Sequence, residues 1–147
     1  MKREKKEQDS ELEDLYLDAN VFIYSILDDS FVGNNARRIL EKIENGVYQG
    51  FTSVLTVDEV LWKIQKVVGK EKAAGIARDF LGLANLEFVP ADNSVITKAL
   101  EIYMSEKLDP RDSIHLACMQ IKKLKVIASS DIDFDRVKWI RRIDFSK

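Results

Sequence analysis

Short β-like runs alternate along this chain with longer segments whose apolar residues recur at helical spacing, and few folds accommodate that rhythm. Leu15-Tyr16-Leu17, Val47 to Thr52, Leu86 to Val89, Lys125 to Ala128 and Val137 to Ile143 read as strands. Between them, Val21 to Leu27 opens a helix, and Ala36, Ile39, Leu40 and Ile43 mark another that Asn45-Gly46 stops. Val57, Val60, Leu61, Ile64 and Val68 predict an amphipathic helix closing at Gly69, with a further helix over Lys70 to Leu83. Val95, Ala99 and Ile102 form the inner face of the next. Asp109-Pro110 opens one more, because proline suits the first turn, and its buried stripe is expected at Ile114, Ala117, Cys118 and Ile121. Asp28 to Asn35 is expected as a turn and Ser129 to Asp135 as a polar loop. Strands separated by helices pair in parallel, so the pattern predicts a three-layer α/β/α sandwich with a mostly parallel sheet of four to five strands.

A chain of 147 residues suffices for one such unit, expected over residues 14–147, preceded by a charged, mobile head at 1–13. Residues 1–14 carry four bases and six acids of the chain's 23 and 25, which leaves 19 of each in the rest. Charge therefore does not announce a nucleic-acid binder. Attraction for a polyanion would have to come from a divalent cation and from local basic patches. The most basic stretch holds Lys122, Lys123, Lys125, Arg136, Lys138, Arg141 and Arg142, which also fit a solvated edge. No apolar run reaches the ~20 residues of a membrane span, and the basic N-terminus lacks the apolar stretch of a secretory signal. A cytoplasmic protein is expected, and a lone cysteine, Cys118, agrees with a reducing compartment.

In an open parallel sheet, ligands bind beyond the carboxyl ends of the strands. Asp18 directly follows the first strand, Glu59 lies in the first turn of the helix after the second, and Asp131 follows the fourth. Asp112 sits in the first turn of the helix leading into that fourth strand. Gathered carboxylates repel one another unless a cation offsets them, and an oxygen-only donor set favours Mg²⁺ or Mn²⁺ over zinc. Such ions activate water against phosphorus, so phosphodiester hydrolysis is the natural chemistry. No glycine-rich phosphate loop of either common pattern is present, which disfavours nucleotide-driven mechanisms.

Each acid also has a structural explanation. Thr56 and Glu59 match a capping box, and Glu59 could pair with Lys63. Asp112 could complement a helix dipole, Asp131 could be a turn residue, and Asp18 could be an N-cap. One shared site accounts for all four more simply than four coincidences. His115 is expected as a helix residue near the site rather than a base, and Trp62 and Trp139 as packing or dimer contacts. Asp133 and Asp135 fit either an auxiliary acid or solvated charge.

Four segments, taken together, resemble the PIN-domain family, and within it the VapC-like toxins of toxin-antitoxin pairs. They are Leu17-Asp18-Ala19-Asn20-Val21-Phe22-Ile23-Tyr24, the run from Thr52 to Leu61, the run Asp109-Pro110-Arg111-Asp112-Ser113-Ile114-His115-Leu116-Ala117, and the run from Ala128 to Asp135. The resemblance spans about Leu15 to Ile143. It implies an α/β/α sandwich, a Mg²⁺ or Mn²⁺ site, endonucleolytic RNA cleavage, homodimers and a VapB-like antitoxin partner. It also implies Asp18 and Asp112 as principal metal ligands, Glu59 and Asp131 completing the pocket, Asn20 and Ser53 supporting the carboxylates, and Asp133 as an auxiliary acid. A housekeeping RNA-processing nuclease, a non-catalytic binding module and a phosphoacceptor domain are the alternatives. The charged head departs from toxins that begin almost at the first strand.

Overall fold

The computed structural model describes residues 12–147, so most of the expected head lies outside the described residues. The chain runs β1 (Glu13–Leu17), α1 (Ala19–Leu27), α2 (Phe31–Glu44), β2 (Tyr48–Ser53), α3 (Thr56–Val68), α4 (Lys70–Leu81) and β3 (Leu86–Val89). It continues with α5 (Asn93–Glu106), α6 (Pro110–Ile121), β4 (Val126–Ala128), a 3₁₀ turn at Ile132–Arg136 and β5 (Arg141–Ile143). All five strands pair in parallel in the order β3-β2-β1-β4-β5. The first strand therefore occupies the middle of the sheet.

Side chains alternate across β1, and both faces are covered. Leu15 and Leu17 enter a core with residues of α1 to α4, whereas Tyr16 points to the opposite core with α5 and α6. The result is the expected three-layer arrangement. Among the described residues no helix is long and apolar enough to cross a membrane.

Several boundaries differ from the sequence expectation for local reasons. The turn expected at Asp28 to Asn35 is only three residues long, because Ser30 caps α2 by accepting from the Val32 amide at 3.2 Å. Gly33 then packs against the Asp28 carbonyl, where a Cβ would overlap backbone. The expected helix to Leu83 ends at Leu81. Ser129 to Asp135 is not a plain loop: Asp131 caps a 3₁₀ turn by accepting from the Asp133 amide at 2.9 Å. The fifth strand is confined to Arg141–Ile143, while Val137 is buried against the α5/α6 core. In α6 the burial expected at Ile121 falls instead on Ser113, His115, Leu116 and Met119, beside Ala117 and Cys118, and Ile121 is exposed.

Candidate active site at the carboxyl edge of the sheet

Strand register brings the first and fourth acidic segments together. Leu17 pairs with Ala128, the Asp18 amide donates to the Ala128 carbonyl at 3.1 Å, and Asp18 and Ser129 emerge side by side. Asp18 holds the N-cap position of α1, yet its side chain makes no capping bond. Its carboxylate is buried and accepts from Ser129 Oγ at 2.6 Å.

Ser129 connects much of this edge. Its hydroxyl also accepts from the Asp131 amide at 3.0 Å and from Asn20 Nδ2 at 3.3 Å, and Asn20 Nδ2 donates to Ser130 Oγ at 2.9 Å. Its amide donates to the Ile143 carbonyl at 3.1 Å, while its own carbonyl accepts from Arg142 Nη1 at 3.0 Å. Arg142 pairs in turn with Asp135 and Asp144. The support implied for Asn20 thus reaches Asp18 through Ser129. Ser53 Oγ instead accepts from the Leu55 amide at 3.1 Å, with no carboxylate partner.

The second acidic segment does not form the capping box. Leu55 takes the N-cap position of α3, and Thr56 Oγ1 pairs with Thr52 Oγ1 at 2.7 Å. Thr52 itself donates to the Leu17 carbonyl at 2.8 Å, which ties the start of α3 to β1. Glu59 forms no ion pair with Lys63. It lies 3.2 Å from Nε2 of His115, the neighbour the sequence placed near the site. His115 is 1% exposed, with Nδ1 2.7 Å from Tyr16 Oη and Nε2 3.5 Å from Asp18 Oδ1. Nε2 is within ion-pair reach of both carboxylates but makes no aligned hydrogen bond to either.

The remaining acids form a second trio. Oxygens of Asp112, Asp131 and Asp133 lie within 4.8 Å of one another, as do donor atoms of Asp18, Glu59 and His115. Burial pushes the Asp112 carboxyl up to about 7, and the charges of Asp18 and Asp131 push the same way, partly countered by His115. Burial also raises Asp18 above the usual carboxylate range, against the pull of His115 and the Ser129 hydroxyl. Burial disfavours a charged His115 ring, but the nearby Glu59, Asp18 and Asp112 carboxylates outweigh it, and the ring titrates above its ordinary value. The acids thus fall into two neighbouring groups, Asp18 with Glu59 and His115, and Asp112 with Asp131 and Asp133, and the charge of Asp18 is felt at Asp112. A cavity of about 170 Å³ is lined by Ser53, Leu55, Asp58, Glu59, Arg111, Ile114 and His115, so of the four acids only Glu59 faces it.

Among the described residues no lysine or arginine pairs with Asp18, Glu59, Asp112 or Asp131; Arg136 reaches only the half-exposed Asp133, at 3.2 Å. A crowded set of oxygens with one carboxyl driven towards neutrality fits a hard divalent cation. The basic C-terminal stretch offers less free charge than its composition suggests, since Lys122, Arg136 and Arg142 are engaged in ion pairs. Trp139 packs on the α5/α6 core beneath Lys125, and the exposed Trp62 carries Lys66 over its ring. Sequence reasoning assigned no role to Ser129 or Tyr16. The only signal for Ser129 was its place directly after a strand that ends in an acidic segment.

Known proteins align with this geometry. A family model described as the PIN domain matches residues 15–140. Ribonuclease VapC2 of Methanocaldococcus jannaschii is 23% identical over 98% of this chain and 99% of its own length. The solved VapBC2 structure from Rickettsia felis, bound to a promoter DNA fragment, has a TM-score of 0.69 at 15% identity, covering 89% of this chain and 98% of the matched one. VapC20 of Mycobacterium tuberculosis, described as a sarcin-ricin loop cleaving toxin, also has a TM-score of 0.69 at 15% identity, covering 86% and 96%. With the match running from β1 into the approach to β5, the chain belongs to the PIN-domain family.

Proposed function

We propose that this chain is a metal-dependent endoribonuclease of the VapC type, with Asp18, Glu59, Asp112 and Asp131 as its catalytic carboxylates. The observation that carries the reading is Asp112, in the first turn of α6 of a PIN domain, whose carboxyl is pushed up to about 7 by burial first and then by the charges of Asp18 and Asp131. Such crowding is stabilising only when a cation shares the space. Asp18 and Asp112 are the principal ligands in this reading, Glu59 and Asp131 complete the pocket, and Asp133 is auxiliary. The oxygen-rich set suits Mg²⁺ or Mn²⁺. When bound, such an ion offsets the carboxylate charge, orients a water in line with phosphorus and stabilises the departing oxygen.

The chain's own contribution is placement. Ser129 fixes one Asp18 oxygen, and the Asp133 amide fixes one Asp131 oxygen. Both acids are thereby pre-organised, which lowers the cost of assembling the transition state. Arg111 lines the adjoining cavity and supplies a cation for a substrate phosphate. Hydrolysis forms a bond from the water oxygen to phosphorus and breaks one backbone phosphorus–oxygen bond, the departing oxygen of the released RNA fragment taking up a proton as the water loses one.

The catalytic unit in this proposal is residues 14–147, working in the cytoplasm as a homodimer and restrained by a VapB-like antitoxin. Similar solved structures include VapBC2 of Rickettsia felis and a toxin-antitoxin complex from Klebsiella pneumoniae, which supports the antitoxin partner. RNA incubated with the protein should be cut internally when Mg²⁺ or Mn²⁺ is present and left intact in EDTA. Cleavage that persists in EDTA would reject the mechanism. A small antitoxin gene beside this one, whose product silences the cleavage, would assign the toxin role over general RNA processing.

A further inference from the structure

Three donor atoms meet at the inner end of the site: a carboxylate oxygen each from Asp18 and Glu59, and Nε2 of His115. The imidazole is the unexpected member. Its ring is 1% exposed, and among the described residues its Nε2 has no aligned hydrogen-bond partner, only the ion-pair approach of two carboxylates, although a buried polar atom without a hydrogen bond is costly. The atom faces the two carboxylates, at 3.2 Å from Glu59 Oε1 and 3.5 Å from Asp18 Oδ1. Two donors each about 2.1 Å from one cation, set roughly 90–110° apart, lie about 3.0–3.4 Å from each other. The Glu59 separation falls in that range and the Asp18 separation about 0.1 Å beyond it, as for neighbouring ligands of a common ion.

The far side of the ring supports the same assignment. A histidine that ligates a metal through one nitrogen usually donates its other N–H to a fixed partner, which sets the tautomer. Nδ1 of His115 lies 2.7 Å from Tyr16 Oη, on the central strand and buried. With Nδ1–H donating to that oxygen, the Nε2 lone pair points at the carboxylates. The cavity lined by Glu59 and His115 gives an ion a route to this position.

We infer that His115 is a nitrogen ligand, and that Asp18, Glu59 and His115 form a cation position distinct in chemistry from the all-oxygen trio of Asp112, Asp131 and Asp133. An imidazole donor shifts preference from Mg²⁺ towards borderline first-row ions, so this position ranks Mn²⁺ above Mg²⁺ and Zn²⁺ above both. The oxygen trio stays a hard-ion position. The inference rests on the nuclease reading for the existence of a cation site, and it adds the ligand that sets the site's selectivity.

Mn²⁺ alone, added to the full chain, is the probe. Pulsed electron paramagnetic resonance should show a ¹⁴N coupling from a directly bound imidazole. His115→Gln should remove that coupling and weaken Mn²⁺ binding by calorimetry at least about ten-fold, with a much smaller change for Mg²⁺. Tyr16→Phe retains the ring but removes its orienting partner, and should weaken Mn²⁺ binding about 10- to 100-fold with the coupling retained at saturation. Because the decisive spectrum is taken on the unaltered protein, a variant that fails to fold does not obscure it. Mn²⁺ bound without nitrogen coupling would overturn the inference and leave the carboxylate nuclease standing. Absence of any divalent-ion binding would overturn both.

Discussion

Without a cation, the site should make the protein less stable as pH rises. Asp112 has its carboxyl raised from 3.8 to about 7, so between those values the folded chain holds a proton that the unfolded chain has released. Stability then falls with rising pH, because the unfolded state binds fewer protons. Asp18, also raised, acts in the same direction. His115 does too: its stabilisation is complete below the unfolded value of 6.5 and is lost as pH climbs through the higher folded value. The depressed carboxyls of Asp28, Asp92, Asp135 and Asp144 lose their stabilising effect only as pH falls below 3.8, outside this window. At about 1.36 kcal/mol per pKa unit the Asp112 shift alone would amount to roughly 4 kcal/mol. Its partial exposure to screening solvent reduces this to about 1–2 kcal/mol. For a chain of this size the melting temperature in EDTA should drop about 3–6 °C between pH 5 and pH 8. Saturating Mg²⁺ at pH 8 should recover most of the loss, and Asp112→Asn should flatten the metal-free profile. A melting temperature that is level or rising across that range in EDTA, or an Asp112→Asn profile identical to the wild type, would refute the electrostatic account of the cleft.

Asp18→Asn should abolish RNA cleavage while leaving the melting temperature equal or slightly higher, since a buried charge is removed; an unfolded variant would point to a structural role instead. Ser129→Ala removes the hydroxyl that donates to Asp18 and accepts from Asp131 and Asn20. It should cost about 1–3 kcal/mol in denaturant melts and lower both cleavage and Mg²⁺ affinity. Gly33→Ala places a Cβ 2.6 Å from the Asp28 carbonyl carbon and against its oxygen. It should destabilise by about 3 kcal/mol in the same melts, with the metal affinity of the surviving folded fraction unchanged.

Layering and the position of the acids were legible because they follow from short-range pattern. Apolar alternation and helix punctuation placed β3 at Leu86–Val89, and strand ends placed Asp18 and Asp131 beyond the carboxyl edge of the sheet. The errors arose where a tertiary contact overrode a local preference. Thr56 and Glu59 have the spacing of a capping box, but Thr52 draws Thr56 towards β1 and His115 faces Glu59. Helical periodicity in α6 could not show that His115 and Ser113 point inward while Ile121 is exposed, because that depends on which side of α6 meets the sheet. The linkage through Ser129 joins residues more than a hundred positions apart, and no single-chain pattern encodes such a contact.

The central placement of β1 governs when the active cleft can exist. Synthesis delivers β1, β2 and β3 first, a set that can pair as three neighbours but presents only Asp18 and Glu59. Asp112 and Asp131 follow much later, and the Arg142 guanidinium that grips the Ser129 carbonyl comes after both. Until α6 and β4 have joined β1, a partly made polypeptide therefore lacks half of the carboxylates that the finished sheet edge gathers.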